Sequence, residues 1–144
     1  MTDTQTMGSC LCGKVSLVLD TSEEPRIDVC HCATCRKWGG GPFLGLMDAQ
    51  VAVSGEDHVV AYPSSDWAER AFCGSCGSHL WYTFLPTGHR SVLAGLFDLP
   101  HAEIEQQIFV DEKPTYYDFA QQTPMKTGAQ IVAEAEAAGF SFDE

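Results

Sequence analysis

Seven cysteines in three tight clusters constrain this 144-residue chain more than any other feature. They stand as a pair, "CLC" at Cys10 and Cys12, a triplet, "CHCATC" at Cys30, Cys32 and Cys35, and a second pair, "CGSC" at Cys73 and Cys76. An odd number cannot pair off completely as disulfides. Such close spacing suits metal ligation or thiol redox chemistry better than a disulfide framework.

Ligand counting divides the clusters further. A closed tetrahedral zinc site takes four ligands, and the two pairs together supply four. Such a site would join segments about 60 residues apart and contribute to folding outright. In an extended segment Cys10 and Cys12 project to one face. The C-x-x-C run is a turn in which Gly77 can take positive φ and let backbone N–H groups approach the sulfurs.

The triplet then remains with three thiolates and one open position, the arrangement of a metal centre that does chemistry. Spacing alone also admits a closed site completed by one of the five histidines (His31, His58, His79, His89 or His101), a redox cluster, or a different pairing between clusters. In the open form a bound thiol loses its proton near neutral pH and becomes a nucleophile, while a bound carbonyl becomes a better electrophile. Arg36 and Lys37 follow at once and could hold a substrate carboxylate, with two solvated cations as the plain alternative. Gly39, Gly40 and Gly41 would permit close approach of a ligand, or form a turn between strands. His31, in an extended segment, points away from the face of its neighbours and reads as an ordinary exposed histidine.

Composition sets the setting for this chemistry. A hydrophobic fraction of 44% over 144 residues predicts one folded domain with a core. Eight Lys and Arg against twenty Asp and Glu give a net charge of -12, which repels phosphate backbones and anionic membrane surfaces. Thiolates around two zinc ions make that balance more negative still. Neither nucleic acid nor membrane is therefore an expected partner. No apolar run approaches the ~18 residues of a membrane span, and the start "MTDTQTMGSC" has no signal-peptide character, so the expected location is the cytoplasm.

Local pattern predicts a mostly β fold. "KVSLVLD" sets Val15, Leu17 and Leu19 on one face of a strand, and "RIDVC" runs as a short strand into the triplet. "FLGLM", "VAVSG", "HVVAY", "ERAFC", "HLWYTF", "SVLAGLF" and "QIFVD" follow as short strands at intervals of about 8–12 residues. "SGEDH" and "PTGHR" read as hairpin turns, and residues 1–8 as a loose polar start. Only "GAQIVAEAEAAGF", closed by Gly139, reads as helical, a short appended helix or tail. The expected organisation is a zinc-binding β domain over residues 1–124 and a C-terminal tail or helix over 125–144.

Taken together, "GSCLCGKV", "CHCATCRKWGGGPF", "FCGSCGSHLWY", "AGLFDLP" and "QIFVDEKPTYYDF" resemble the glutathione-dependent formaldehyde-activating enzyme family, also written GFA or CENP-V/GFA. The order and spacing of all seven cysteines fit. The resemblance implies a zinc-stapled β-tent of short antiparallel strands with two zinc ions per chain. It assigns Cys10, Cys12, Cys73 and Cys76 to a structural zinc, and Cys30, Cys32 and Cys35 to the zinc of the active site. The implied reaction is a carbon–sulfur lyase step in which a small thiol such as glutathione and an aldehyde such as formaldehyde form or release an S-hydroxymethyl adduct. The competing expectation is a noncatalytic zinc module for a protein partner, which a histidine-capped triplet would support. A metal-free, oxidisable triplet would instead point to a redox sensor.

Overall fold

The computed structural model describes residues 4–142. Along the chain run β1 (Gln5–Ser9), β2 (Ser16–Asp20), β3 (Arg26–Cys30), α1 (Ala33–Gly39), β4 (Phe43–Leu46), β5 (Val51–Ser54) and β6 (Val59–Ser65). There follow β7 (Ala68–Cys73), β8 (His79–Phe84), β9 (His89–Val92), β10 (Glu103–Ile108), β11 (Met125–Lys126) and α2 (Gly128–Ala137). The protein is mostly β, built of short strands, as the spacing of β-prone segments predicts.

Two compact units share the chain: Met1–Pro25 with Gly45–Ala102, and Arg26–Leu44 with Glu103–Glu144. The first unit holds two antiparallel sheets, one ordered β1-β2-β5 and one ordered β6-β7-β8-β9. Val15, Leu17 and Leu19 are buried, which is the outcome of the period-two pattern. With Ala71, Leu80 and Val92, they belong to the buried apolar set. The second unit carries β11, β10, β3 and the first half of β4 from the sheet ordered β11-β10-β3-β4, in which β10 runs parallel to both β3 and β11. α2 starts on a capping box, Thr127 accepting from the Gln130 N–H at 3.2 Å while the Gln130 side chain accepts from the Thr127 N–H at 2.7 Å.

Three local expectations need correction. Gln5–Ser9, which overlaps the loose start expected over residues 1–8, is a strand paired with β2 along its whole length; residues 1–3 lie outside the described residues. Gly8 makes this strand's close approach feasible, because a Cβ there would lie 2.6 Å from the Phe97 ring. "SGEDH" is not a hairpin: β5 pairs with β2, β6 with β7, and Gly55 at φ +84° leads instead into a 3-10 turn over Glu56–His58. "PTGHR" does join a hairpin, β8 with β9. Finally, the glycine run does not link two strands. It closes α1, a helix that the sequence does not announce, with Gly40 as left-handed C-cap donating to the Arg36 carbonyl at 2.7 Å.

Candidate metal centres

The first unit brings Cys10, Cys12, Cys73 and Cys76 together, their sulfurs all within 4.8 Å of one another. Two turns do this. "CLC" is a turn rather than the extended segment expected, with the Gly13 N–H closing onto the Cys10 carbonyl at 3.1 Å. The "CGSCG" knuckle closes through the Gly77 N–H on the Cys73 carbonyl at 2.8 Å, and Gly77 takes the anticipated positive φ of 78°. The Leu11 N–H donates to Ser78 Oγ at 3.0 Å and so ties one turn to the other.

This geometry fits zinc. Four thiolates at Zn–S bonds of ~2.3 Å around a tetrahedral ion stand about 3.8 Å apart. Cys10 and Cys12 sulfurs are 3.6 Å apart, and those of Cys12 and Cys73 are 3.8 Å apart. None of the seven cysteines is in a disulfide.

Electrostatics inside the cluster are uneven. Cys76 is drawn down to about 5, mainly by hydrogen bonds from the Ser78 hydroxyl and backbone. At Cys12 the Lys14 backbone N–H favours the thiolate, yet burial and the neighbouring sulfurs outweigh it and push the thiol up to about 11. Cys10 is likewise lowered, so thiolates at Cys10 and Cys76 are favoured while Cys12 is held protonated, which is what a cluster of like charges does until a cation joins it.

The second unit gathers Cys30, Cys32 and Cys35, again with all sulfurs within 4.8 Å. Cys30 ends β3, Cys32 is the N-cap of α1, and Cys35 is the buried residue of that helix. The triplet is thus a strand-to-helix corner. The Cys35 N–H donates to Cys32 Sγ at 3.3 Å. Glu112 supports the same corner by accepting from the Ala33 N–H at 3.1 Å. Cys30 is pushed far above the ordinary thiol range, first by its hydrogen bonds with Cys32 and Cys35 and then by burial. Three such thiols ionise together only with a positive charge among them, so their chemistry fits a metal ion.

Among the described residues, no histidine nitrogen or carboxylate oxygen joins the triplet at that spacing. His31 in particular is not the exposed histidine expected. It is fully buried. Its Nδ1 lies 2.7 Å from the Tyr117 hydroxyl and its Nε2 2.9 Å from Gln107 Oε1. Burial lowers its pKa and so favours the neutral ring. Arg36 Nε donates to the His31 carbonyl at 3.1 Å, while Lys37 stays exposed.

Tyr117 and Gln107 both stand in the stretch "QIFVDEKPTYYDF", but the sequence alone gives them no role, since their partner His31 is 86 and 76 residues away.

Comparisons with known proteins give the chain's family and fold relatives. A family model described as "Glutathione-dependent formaldehyde-activating enzyme" matches residues 5–112. An uncharacterized lyase of Schizosaccharomyces pombe is 36% identical over 128 residues, covering 87% of this chain and 93% of the relative. A crystal structure of a Rhodobacter sphaeroides protein is similar with a TM-score of 0.50 and 16% identity, covering 83% of this chain and 98% of that one. The last likeness concerns the fold alone.

Proposed function

Because the chain belongs to the glutathione-dependent formaldehyde-activating enzyme family, we propose that it is a zinc-dependent carbon–sulfur lyase acting on a small thiol and an aldehyde. Glutathione and formaldehyde are the proposed pair, joined in or released from an S-hydroxymethyl adduct. The observation that carries this reading is the difference in completeness between the clusters. Cys10, Cys12, Cys73 and Cys76 offer a full set of four sulfurs, whereas Cys30, Cys32 and Cys35 offer three. We assign the four to a structural zinc and the three to the zinc of the active site.

Zinc held by the triplet would supply Lewis acidity, lowering the pKa of a bound thiol so that it is a thiolate near neutral pH. The chain's own part is positioning. β3 and α1 fix Cys30, Cys32 and Cys35 on one corner. Arg36 and Lys37 on α1 supply cations for a ligand carboxylate in an otherwise strongly acidic protein. Formaldehyde adds to thiols readily, so concentrating and orienting both partners is a sufficient role.

A partner-binding zinc module would be favoured by a histidine closing the triplet, and His31 is instead committed to Tyr117 and Gln107. Exchange spectroscopy on glutathione with formaldehyde tests the lyase reading. Zinc-loaded protein should speed interconversion of free thiol and adduct; no acceleration across a panel of thiols would leave the module reading in its place. Among the described residues, no helix is long and apolar enough to cross a membrane.

A further inference from the structure

The residues after β10 form a strap across the corner that carries the triplet. Ile108 is in register with Cys30, and its carbonyl accepts from the His31 N–H at 3.1 Å. At the other end of the strap, Glu112 Oε1 accepts from the Ala33 N–H at 3.1 Å. One bond thus falls directly after Cys30 and the other directly after Cys32. Both are made by a single short run, Ile108–Glu112.

The strap matters because α1 is poorly placed to fix its own start. It has only seven residues, and a helix that short forms with outside support. Yet its first turn carries two of the three sulfurs, Cys32 as N-cap and Cys35 as the buried residue. The Ala33 N–H is one of the donors for which a helix has no partner of its own, and Glu112 satisfies it. Cys32 Sγ also caps, accepting from the Cys35 N–H at 3.3 Å, but sulfur is a weak acceptor.

α2 seats the strap in turn. Phe109 holds φ +54° and ψ +40°, a left-handed conformation that a bulky residue keeps only when its surroundings impose it. Gly128, buried at the start of α2, makes room for its ring: a Cβ there would lie 2.7 Å from the ring and 3.7 Å from Glu112 Oε2. Asp111 Oδ1 accepts from the Gly128 N–H at 2.8 Å. Three strap residues therefore meet one glycine, whose backbone the capping box of Thr127 and Gln130 sets. α2 itself lies beyond residues 5–112, which match the family model.

We propose that α2 is the clamp of the three-cysteine metal centre: through Gly128 it seats Phe109, Asp111 and Glu112, and through Glu112 it keeps Cys32 and Cys35 at the distance from Cys30 at which three sulfurs hold a metal ion. These four are positioning residues, and none of them offers the triplet a ligand atom at ligand spacing. The proposal rests on the assignment of a metal to the triplet and not on the identity of thiol or aldehyde. Gly128→Ala is the decisive variant, because two expectations for it have opposite sign. Alanine is the better helix former and should firm α2, whereas its Cβ should lift α2 from the Phe109 ring and slacken the strap.

The test challenges the zinc-loaded full chain with a chromophoric chelator, and the equivalent that Cys32→Ala lacks identifies the metal of the triplet. In Gly128→Ala, Asp111→Ala and Glu112→Ala that equivalent should be held about tenfold more weakly, the lower end for losing a residue that supports a metal ligand. The four-cysteine metal should be held as in the wild type, which also shows that the chain has folded. Asp111→Asn and Glu112→Gln keep an oxygen that can accept the same N–H and should restore wild-type affinity. With cobalt in place of zinc, the d–d bands of the triplet should shift in the alanine variants and return in the amides. A loss of stability alone would not move them.

A triplet metal held as tightly in Gly128→Ala as in the wild type, with its cobalt bands unmoved, overturns the clamp. An equal weakening at both clusters overturns it too, as general destabilisation. If Cys32→Ala binds as much metal as the wild type, the metal centre itself falls and the clamp with it.

Discussion

The two cysteine clusters are built in opposite ways. The four-cysteine cluster draws its ligands from turns 61 residues apart in sequence, Cys12 facing Cys73, and its surroundings are short polar contacts such as Lys14 to Ser75 and Cys76 to Ser78. The three-cysteine cluster comes from one contiguous run over a strand end and a helix cap, backed by the buried pair His31 and Gln107. A metal that joins distant segments closes a large loop, and its binding energy becomes folding energy. One held by neighbours along the chain closes almost nothing. That site can lose or exchange a ligand while the fold persists, which is the condition under which a metal can do chemistry.

The most forceful way to break this contrast is Cys76→Ala. Structural zinc contributes roughly 10–16 kcal/mol in small domains, comparable to or larger than the ~5–15 kcal/mol stability of a typical fold. The variant should therefore lose cooperative unfolding in denaturant along with its metal. Cys32→Ala should act in the other sense. It should release one metal equivalent and reduce adduct cleavage by more than about 100-fold, the upper end for losing a residue that merely supports a metal ligand. Its stability cost should be only about 1 kcal/mol, from the lost helix cap. If the two variants show the same denaturation profile, the division into a structural and a reactive site is wrong.

Acid offers the mildest comparison. Thiols must shed protons to bind a metal, so affinity falls as pH falls. Cys30 starts with its pKa raised far above the thiol range, whereas the four-cysteine cluster holds Cys10 and Cys76 down, the latter to about 5, and Cys12 up at about 11. Protons compete better for the triplet, and it has one thiolate fewer. On acidification, metal release followed with a chromophoric chelator should come in two steps, the first abolishing adduct cleavage while far-UV circular dichroism stays native. A single step carrying both losses would merge the sites.

What could be read in advance follows from how local each cause is. β2 was legible because Val15, Leu17 and Leu19 alternate into a buried face. α2 was legible because an Ala- and Glu-rich run ends at Gly139. α1 was not, since seven residues rich in neither Ala nor Leu hold a helix only with help, from Cys32 at its start and from Glu112, 79 residues on from Ala33. β1 was missed for a similar reason: its alternating exposed and half-buried residues gain strand character from pairing with β2, not from their own pattern.

The candidate ligands were set by the sequence itself, because thiol chemistry suits zinc whatever the fold around it, and spacing alone divides the seven cysteines into two pairs and a triplet. Only the tertiary structure decided what surrounds them. It turned His31 inward although it stands between two cysteines, and it supplied Gln107 from the neighbouring strand β10 and Tyr117 from a later loop, because a buried imidazole must have both nitrogens satisfied. Cysteine clusters are written in neighbours along the chain, whereas the joining of Cys10 and Cys12 to Cys73 and Cys76, and the partners of His31, are written in neighbours in space.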